Sequence, residues 1–453
     1  MWKTDVLDLV HSGEFSRAET ALASLAEGER ASHAVVIDSI VDIMRRVRSE
    51  FAVGDEEGFR QIRERVPSAT DEQIEKWIAS RLIETMSIDG QRRWFNRAAR
   101  NFTLLGGELF AQRNDSTRAA ECQRLQKYSA AVQESRPDAV GVRNWHKAKI
   151  TFTLDVDSGA VPAGEWVRVW LPFPIYNGRQ RNIALTASSH PVRMSWGSVH
   201  NTVYMETMVP QGEGLHFEIT YTYDVGAQIF AREELLERLQ PYDTASQEYM
   251  TYTSGESPNI VVDEAMRQLA LKIVGGESNP VLQAGKIYDW IVERFPWASA
   301  RDYSTIPCIP RYVLEEGHGD CGQVTLLNIS LLRSIGIPAR WESGWMLHPG
   351  AKGLHDWGEV YFEGIGWVPC DVSMGRTTRG SAIADYYKTS TDIYRLATNR
   401  GVNGEFSPEK IYIRCDEVDS QLGEVEWRGG NVAGDKWKAA LTIDSFEPIA
   451  SSN

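Results

Sequence analysis

The sequence lacks the features by which membrane, exported and nucleic-acid-binding proteins are usually recognised. No apolar run reaches the roughly 20 residues of a membrane-spanning helix. The first residues have neither the basic start nor the apolar stretch of a signal peptide. A net charge of −14, with no basic cluster to offset it, makes nucleic acid and anionic membranes unexpected partners. We therefore expect a cytoplasmic protein, or a periplasmic or extracellular one if a leader peptide was removed.

Cysteine is scarce as well. The chain has five cysteines in 453 residues: Cys122, Cys308, Cys321, Cys370 and Cys415. An odd, scattered set argues against a disulfide scaffold and does not have the spacing of metal ligands, so we expect neither a metal nor a cofactor. The pattern is typical of a reduced protein with one reactive thiol.

The remaining composition is that of an ordinary globular protein. The hydrophobic fraction is 42% and the charged fraction is 24%, and a chain of this length predicts about three domains. Residues 1–140 are rich in Ala, Leu, Glu and Arg with apolar residues at helical spacing, which predicts a helical N-terminal domain. Within it, Thr70 or Ser68 is expected to cap a helix, with Glu72 or Gln73 nearby.

The hydrophobic period changes to two after residue 140. Apolar and polar residues alternate in 149–154, 166–171 and 217–223, which predicts a β-sandwich domain over residues 141–250. A catalytic core is expected over residues 251–400. Two further alternating segments, 423–428 and 437–442, predict a β-rich C-terminal extension over residues 401–453.

Cys321 is the most informative residue of the core. It follows a glycine-rich turn at 317–320, and apolar residues then recur at helical spacing until 336–338, Gly-Ile-Pro, ends the helix. The cysteine is thus predicted at a helix N-terminus, where backbone N–H groups and the helix dipole favour a thiolate and can bind an oxyanion.

A histidine and an acid follow on predicted strands. His355 begins an extended stretch, and Asp371 ends the next one, after a predicted hairpin turn at 363–366. An acid on the neighbouring strand can orient the imidazole, so Cys321, His355 and Asp371 together predict a triad for nucleophilic acyl transfer.

Four motifs in this region resemble those of the transglutaminase-like superfamily of cysteine enzymes. They are Asp320-Cys321, Gly336-Ile337-Pro338-Ala339-Arg340, His355-Asp356-Trp357, and Gly366-Trp367 through Asp371. The resemblance implies an α+β fold with a papain-like core, in which the cysteine helix packs on an antiparallel sheet. It also implies Cys321 as nucleophile, His355 as base and then acid, and Asp371 as the residue that orients it.

Three aromatic residues are further candidates. Trp297 and Tyr303 lie in a loop-like stretch upstream of Cys321, and either is a candidate second oxyanion donor. Trp357 is expected to pack its ring against His355 and shield it from water. The chain departs from the family next to His355, where the family usually has a small residue and this chain has Asp356; on a strand Asp356 would face away from His355.

The expected activity is cysteine-dependent acyl transfer through a thioester, on a peptide, protein or peptidoglycan-type amide. Hydrolysis by a bacterial cysteine peptidase or amidase is favoured, because nothing in the sequence marks an amine site. Two alternatives stay open: a protein-glutamine transglutaminase, and a non-catalytic scaffold that binds a peptide or glycan.

Overall fold

The computed structural model describes residues 2–138 and 141–450. The predicted domain boundary at residue 140 lies outside the described residues. Helices and antiparallel sheets are both abundant, so the predicted α+β class is confirmed. Among the described residues, no helix combines the length and the apolar character that crossing a membrane requires.

The α-helices concentrate in the first third of the chain and around Cys321. They are α1 (Trp2–His11), α2 (Phe15–Ala23), α3 (Glu27–Ser32), α4 (Ala34–Glu50), α5 (Asp55–Arg65), α6 (Asp71–Ala79), α7 (Ala98–Leu105), α8 (Ala111–Gln133), α9 (Arg232–Arg238), α10 (Gln247–Thr253), α11 (Glu264–Val274), α12 (Pro280–Arg294), α13 (Ile309–Glu316), α14 (Cys321–Ser334), α15 (Val372–Thr378) and α16 (Tyr386–Thr389). Short 3₁₀ turns cover Gly107–Phe110, Tyr303–Thr305 and Gly434–Lys436.

The strands lie mostly after residue 140. They are β1 (Thr85–Ile88), β2 (Gln91–Trp94), β3 (Val142–Val156), β4 (Trp166–Phe173), β5 (Gln180–Ser188), β6 (Arg193–Trp196), β7 (Asn201–Met208), β8 (Leu215–Ile229), β9 (Ala339–Met346), β10 (Gly353–Phe362), β11 (Gly366–Cys370), β12 (Ser390–Thr391), β13 (Arg395–Arg400), β14 (Glu424–Trp427), β15 (Gly430–Asn431) and β16 (Trp437–Pro448).

The chain divides into two compact units. One contains Met1–Arg118 and Phe295–Asp320, and the other contains Ala119–Arg294 and Cys321–Asn453. The four domain ranges expected from the sequence stay predictions.

The first unit is mainly helical. Apolar residues at helical spacing, among them Phe15, Met44 and Ile62, are buried in a common core. Helix α6 begins with a capping box: the Thr70 hydroxyl accepts from the N–H of Gln73, and the Gln73 side chain accepts from the N–H of Thr70.

A short hairpin interrupts the predicted helical region. Strands β1 and β2 pair around a turn at Asp89-Gly90, and both turn residues have positive φ angles, 50° and 77°. An Asp-Gly pair is a strong signal for a two-residue hairpin turn, because both residues tolerate this conformation. The N-terminal region is helical as predicted, and this hairpin is an addition that the sequence analysis did not predict.

The second unit contains a β-sandwich. One five-stranded sheet has the order β12-β8-β3-β16 with β5 also paired to β8, and the other has the order β15-β14-β4-β7-β6. Alternate residues of the long strands, such as Phe152, Val169 and Phe217, are fully buried in one core between them. The last strands of the chain belong to this sandwich, since β16 pairs with β3 and β14 pairs with β4.

The same unit contains a four-stranded antiparallel sheet with the order β11-β10-β9-β13. Helix α14 packs against β9 and β10 and is covered further by α11, α12 and α15. Because it has neighbours on all sides, every residue of α14 from Gly322 to Ser334 is buried. This helix and this sheet position the candidate site.

Candidate active site

Cys321 is the first residue of α14, as its position after a glycine-rich turn predicts. Its thiol is partly buried and donates a hydrogen bond to Oδ2 of Asp356, at 3.2 Å from Sγ. Asp356 lies on β10 directly after His355 and is itself buried. The side chain that the sequence suggested would face away therefore contacts the candidate nucleophile.

His355 and Asp371 form a close buried pair. Nε2 of His355 lies 2.7 Å from Oδ2 of Asp371, and both side chains are about 5% exposed. The antiparallel pairing of β10 with β11 produces this contact, because Asp371 directly follows the end of β11. With Nε2 held by the carboxylate, the imidazole has a fixed orientation and presents Nδ1 as its other proton-exchanging atom.

Asp371 uses both of its oxygens. Oδ1 accepts from the N–H of Met374 and caps α15, while Oδ2 faces His355. Burial alone would raise the pKa of the Asp371 carboxyl, but His355, Arg395 and the Met374 N–H together hold the pKa below its ordinary value. Asp371 is thus an anion at neutral pH.

Arg395 supplies the positive charge behind this pair. Its guanidinium is 1% exposed and lies 3.1 Å from Oδ2 of Asp371 and 3.7 Å from Oδ2 of Asp392. Asp392 also lies 3.0 Å from Nε2 of His348 and accepts from the hydroxyl of Tyr387. One buried arginine therefore connects two His–Asp pairs.

The imidazole of His355 is held neutral by its surroundings. Burial lowers the pKa of His355 below its ordinary value, Arg395 lowers it further, and Asp371 opposes both. The indole of Trp357 lies nearly parallel to the imidazole, with 5.9 Å between ring centroids, and its N–H donates to Glu342. A neutral imidazole of fixed orientation can accept a proton from a thiol.

Residues of the C-terminal segment complete the surroundings of Asp356. The side-chain amide of Gln421 donates to Oδ1 of Asp356 at 2.7 Å and to the backbone carbonyl of His355 at 3.1 Å. Asp419 accepts from the hydroxyl of Ser343, the residue opposite Asp356 on β9. Burial raises the pKa of Asp419 well above its ordinary value, and Asp416 and Asp356 add to this effect.

The two candidate oxyanion donors lie in the first unit. Trp297 is 40% exposed, forms a parallel bridge with Gly319, and carries the guanidinium of Arg100 at 5.7 Å over its ring. The hydroxyl of Tyr303 donates to Oδ1 of Asp320 at 2.6 Å. Both residues thus contact the turn that precedes Cys321, and their assignment as oxyanion donors stays a prediction.

The other cysteines are not equivalent to Cys321. All five lie in the described part of the chain, and no disulfide joins any two of them. Cys370 is buried against Asn328, and burial raises the pKa of its thiol to about 12, so it stays protonated. Within residues 2–138 and 141–450, no three His, Cys, Asp or Glu side chains are grouped so that they could hold a metal ion.

Of three residues near the predicted triad, the sequence marked Asp356 only as a departure from the family pattern and did not mark Arg395 or Gln421 at all. The departure from the family pattern at Asp356 was a signal that something differs next to His355. Arg395 and Gln421 carried no such signal, because they come from segments far along the chain that only the folded structure brings to the sheet.

Comparison with known proteins agrees with the motifs. Residues 267–372 match the model of the transglutaminase-like superfamily, so the resemblance seen in the four motifs is confirmed and the core is transglutaminase-like. A cysteine-dependent enzyme is supported in general terms by this match.

Two curated bacterial proteins are similar over part of their length. The chain is 29% identical over 157 residues to an uncharacterized protein from Haemophilus influenzae, a match covering 29% of this chain and 40% of that protein. It is 28% identical over 133 residues to the uncharacterized protein YebA from Bacillus subtilis, a match covering 25% of this chain and 18% of that protein. The chain thus spans less than half the length of these relatives.

Two solved structures are also similar. A protein from Cytophaga hutchinsonii, described as a "Putative Cysteine Protease", has a TM-score of 0.45 and 18% identity, with 68% of this chain and 95% of that chain covered. The periplasmic domain of TgpA from Pseudomonas aeruginosa has a TM-score of 0.27 and 14% identity, with 51% of this chain and 92% of that chain covered.

Proposed function

We propose that this chain, whose core is transglutaminase-like, is a cysteine peptidase or amidase that works through a thioester acyl-enzyme. The observation that carries the proposal is the buried contact of 2.7 Å between Nε2 of His355 and Oδ2 of Asp371. The residue after His355, Asp356, contacts the thiol of Cys321. Substrates are peptides, proteins or peptidoglycan-type amides, since these have the carbonyl that a thiolate attacks.

In the first half-reaction, the Cys321 proton moves to Nδ1 of His355 and the sulfur attacks the amide carbonyl. Backbone N–H groups at the start of α14 stabilise the oxyanion, because the first turn of a helix leaves its N–H groups without intrahelical acceptors. His355 then returns the proton to the departing amine, and the C–N bond breaks to leave a thioester on Cys321.

In the second half-reaction, water attacks the thioester and His355 takes its proton. The carboxylic acid leaves, and the thiol of Cys321 is restored. Throughout, the anionic Asp371 keeps the imidazole in one orientation and stabilises its protonated form. Replacement of water by an amine would turn the same steps into transamidation.

Trapping the acyl-enzyme tests this proposal. The protein is mixed with a peptide library, quenched in acid and digested, and the Cys321 peptide is examined by mass spectrometry for an acyl mass increment. We expect the increment on Cys321 and free carboxylic acid products in solution. The variant C321A should lose both, whereas C308A, which changes a cysteine of the other unit, should keep both.

The alternatives give different results in the same experiment. A transglutaminase would transfer its acyl group to an added fluorescent primary amine faster than to water. A binding scaffold would retain peptides without any covalent increment, and that result would contradict the proposal.

A further inference from the structure

The carboxylate of Asp356 is built into the surroundings of the nucleophile. Its Oδ2 accepts from the Cys321 thiol at 3.2 Å and its Oδ1 accepts from the Gln421 amide at 2.7 Å. The residue is 6% exposed, and Gln421 is 8% exposed. Two donors from different parts of the chain therefore fix this carboxylate, and its position beside sulfur follows from the fold.

The other groups around Asp356 are mostly polar or acidic. Ser343 stands opposite it on β9 and donates to Asp419, which interacts electrostatically with both Asp356 and Asp416. Because burial and its acidic neighbours raise the pKa of Asp419, it contributes less negative charge beside Asp356 than an ordinary carboxyl group would. On the same strand His355 is neutral, since burial lowers its pKa.

From this geometry we infer that Asp356 is a further catalytic residue, which holds Cys321 in its thiol form at rest. The inference rests on the proposed function. A carboxylate in contact with sulfur accepts a hydrogen bond from the thiol and repels the thiolate. Both effects favour the protonated form of Cys321. Asp356 thus opposes the N-terminus of α14, which by itself favours the thiolate.

The first step moves one proton from the Cys321 sulfur to the His355 imidazole. At rest the S–H bond points to Oδ2 of Asp356. When the thiol turns to the imidazole, the S–H bond breaks and an N–H bond forms at Nδ1 of His355. Asp356 keeps its negative charge throughout and gains no proton. Attack therefore has to break the contact with Asp356, which suppresses reaction of Cys321 with adventitious electrophiles.

Alkylation of the intact protein by iodoacetamide tests the inference. The rate at Cys321 is followed against pH by mass spectrometry for the wild type, D356N and D356A. Asparagine keeps the shape of the side chain and removes its charge. Alanine introduces the kind of small residue that the family usually has at this position. We expect the pH of half-maximal alkylation to fall by about one unit or more in both variants. Below the midpoint this corresponds to about a tenfold faster reaction.

The exposed residue Asp435 provides the matched control, and D435N should keep the wild-type midpoint. An unchanged or higher midpoint in D356N and D356A, with Cys321 still alkylated, would overturn this inference and leave the proposed function standing. No alkylation of Cys321 at any pH in any variant would overturn the proposed function and this inference together.

A measurement on the wild type covers the case in which both variants fail to fold. The infrared S–H stretching region is recorded at pH 7 for the wild type and for C321S, so that the other four cysteines cancel in the difference. We expect one S–H band, shifted to low frequency by a charged acceptor. A difference spectrum without an S–H band would mean a resting thiolate and would overturn the inference.

Discussion

At the scale of single residues, Asp371 shows how one side chain supports two structures. One oxygen caps α15 through the N–H of Met374, and the other faces the imidazole of His355. The two roles can be separated by a substitution, because an amide keeps one acceptor oxygen and replaces the other oxygen with a donor.

We predict that D371N loses roughly 10²–10⁴-fold in kcat/KM with little change in stability. The asparagine oxygen can still cap α15, but its NH₂ group faces Nε2 of His355 and favours the wrong tautomer. Peptide hydrolysis and thermal unfolding measured on the same samples check this. A loss of less than tenfold in a fully folded variant would contradict the assigned role.

Arg395 carries a prediction about stability. It is the buried cation that Asp371 and Asp392 share, and removing one partner of a buried ion pair leaves uncompensated charge. We expect R395M to lower the free energy of unfolding by about 3–5 kcal/mol, measured by urea denaturation. R395K keeps the charge and should lose less; equal losses would show that charge is not what matters here.

Sequence reasoning was most informative for residues within local motifs. Cys321, His355 and Asp371 each stand in a short pattern that defines its element, and the structure places all three in one unit. Arg395 and Gln421 act across long stretches of chain, so no local pattern could identify them. The contact of Asp356 with sulfur depends on how α14 meets β10, which spacing alone does not specify.

At the scale of secondary-structure elements, the beginning of α6 illustrates how far local signals reach. The sequence left Thr70 and Ser68 as alternative caps. The structure selects Thr70, whose side chain and backbone both bond with Gln73. A capping box satisfies two N–H groups that the helix cannot satisfy itself, which is why this arrangement prevails.

We predict that T70A lowers the free energy of unfolding by about 1 kcal/mol, because the N-terminal N–H of α6 loses its acceptor. S68A is the matched control. It removes a hydroxyl from another exposed site two residues earlier and should change stability by less than about 0.5 kcal/mol. Urea unfolding of both variants distinguishes them, and equal effects would contradict the cap assignment.

The β1–β2 hairpin and the burial of α14 on all sides were not predicted from the sequence, and each has a physical reason. The β1–β2 hairpin is only four residues per strand, so its alternation was too short to stand out beside helices, although its Asp-Gly turn was visible. Helix α14 was expected from one apolar stripe, but it is buried on every side by neighbouring elements. Burial on every side results from packing against several elements, and an apolar stripe on one face of a helix does not predict it.

At the scale of the whole molecule, buried histidines link stability to pH. His200 is 3% exposed, and burial, together with Arg414, lowers the pKa of its imidazole to about 4. As the pH falls, the His200 imidazole takes up a proton near pH 6.5 in the unfolded chain but only near pH 4 in the folded chain. The stabilisation is therefore complete above about pH 6.5 and is lost as the pH falls towards 4.

We predict that the wild type loses about 3 kcal/mol more of its unfolding free energy between pH 7 and pH 4 than the variant H200L does. Leucine removes the titration and keeps the site apolar. Urea unfolding of both proteins at a series of pH values gives the difference. If the two curves stay parallel over that range, His200 does not titrate as its burial requires.

The overall class was predictable because the change of hydrophobic period marks where helices give way to strands. The pairing of the sheets was not. Strands β14 and β16 alternate like any half-buried strand, and nothing local assigns them to β4 and β3, which lie far earlier in the chain. Such long-range pairing depends on side-chain fit across the sandwich core.

The pairing of β3 with β16 has a consequence for biosynthesis. A polypeptide leaving the ribosome presents β3 long before β16 exists, so this edge of β3 stays without its partner until the intervening chain has been made. Gln421 emerges shortly before β14 and β16. A nascent chain can therefore bring His355 to Asp371 first, whereas the Gln421 amide that anchors Asp356 is made later, shortly before β14 and β16.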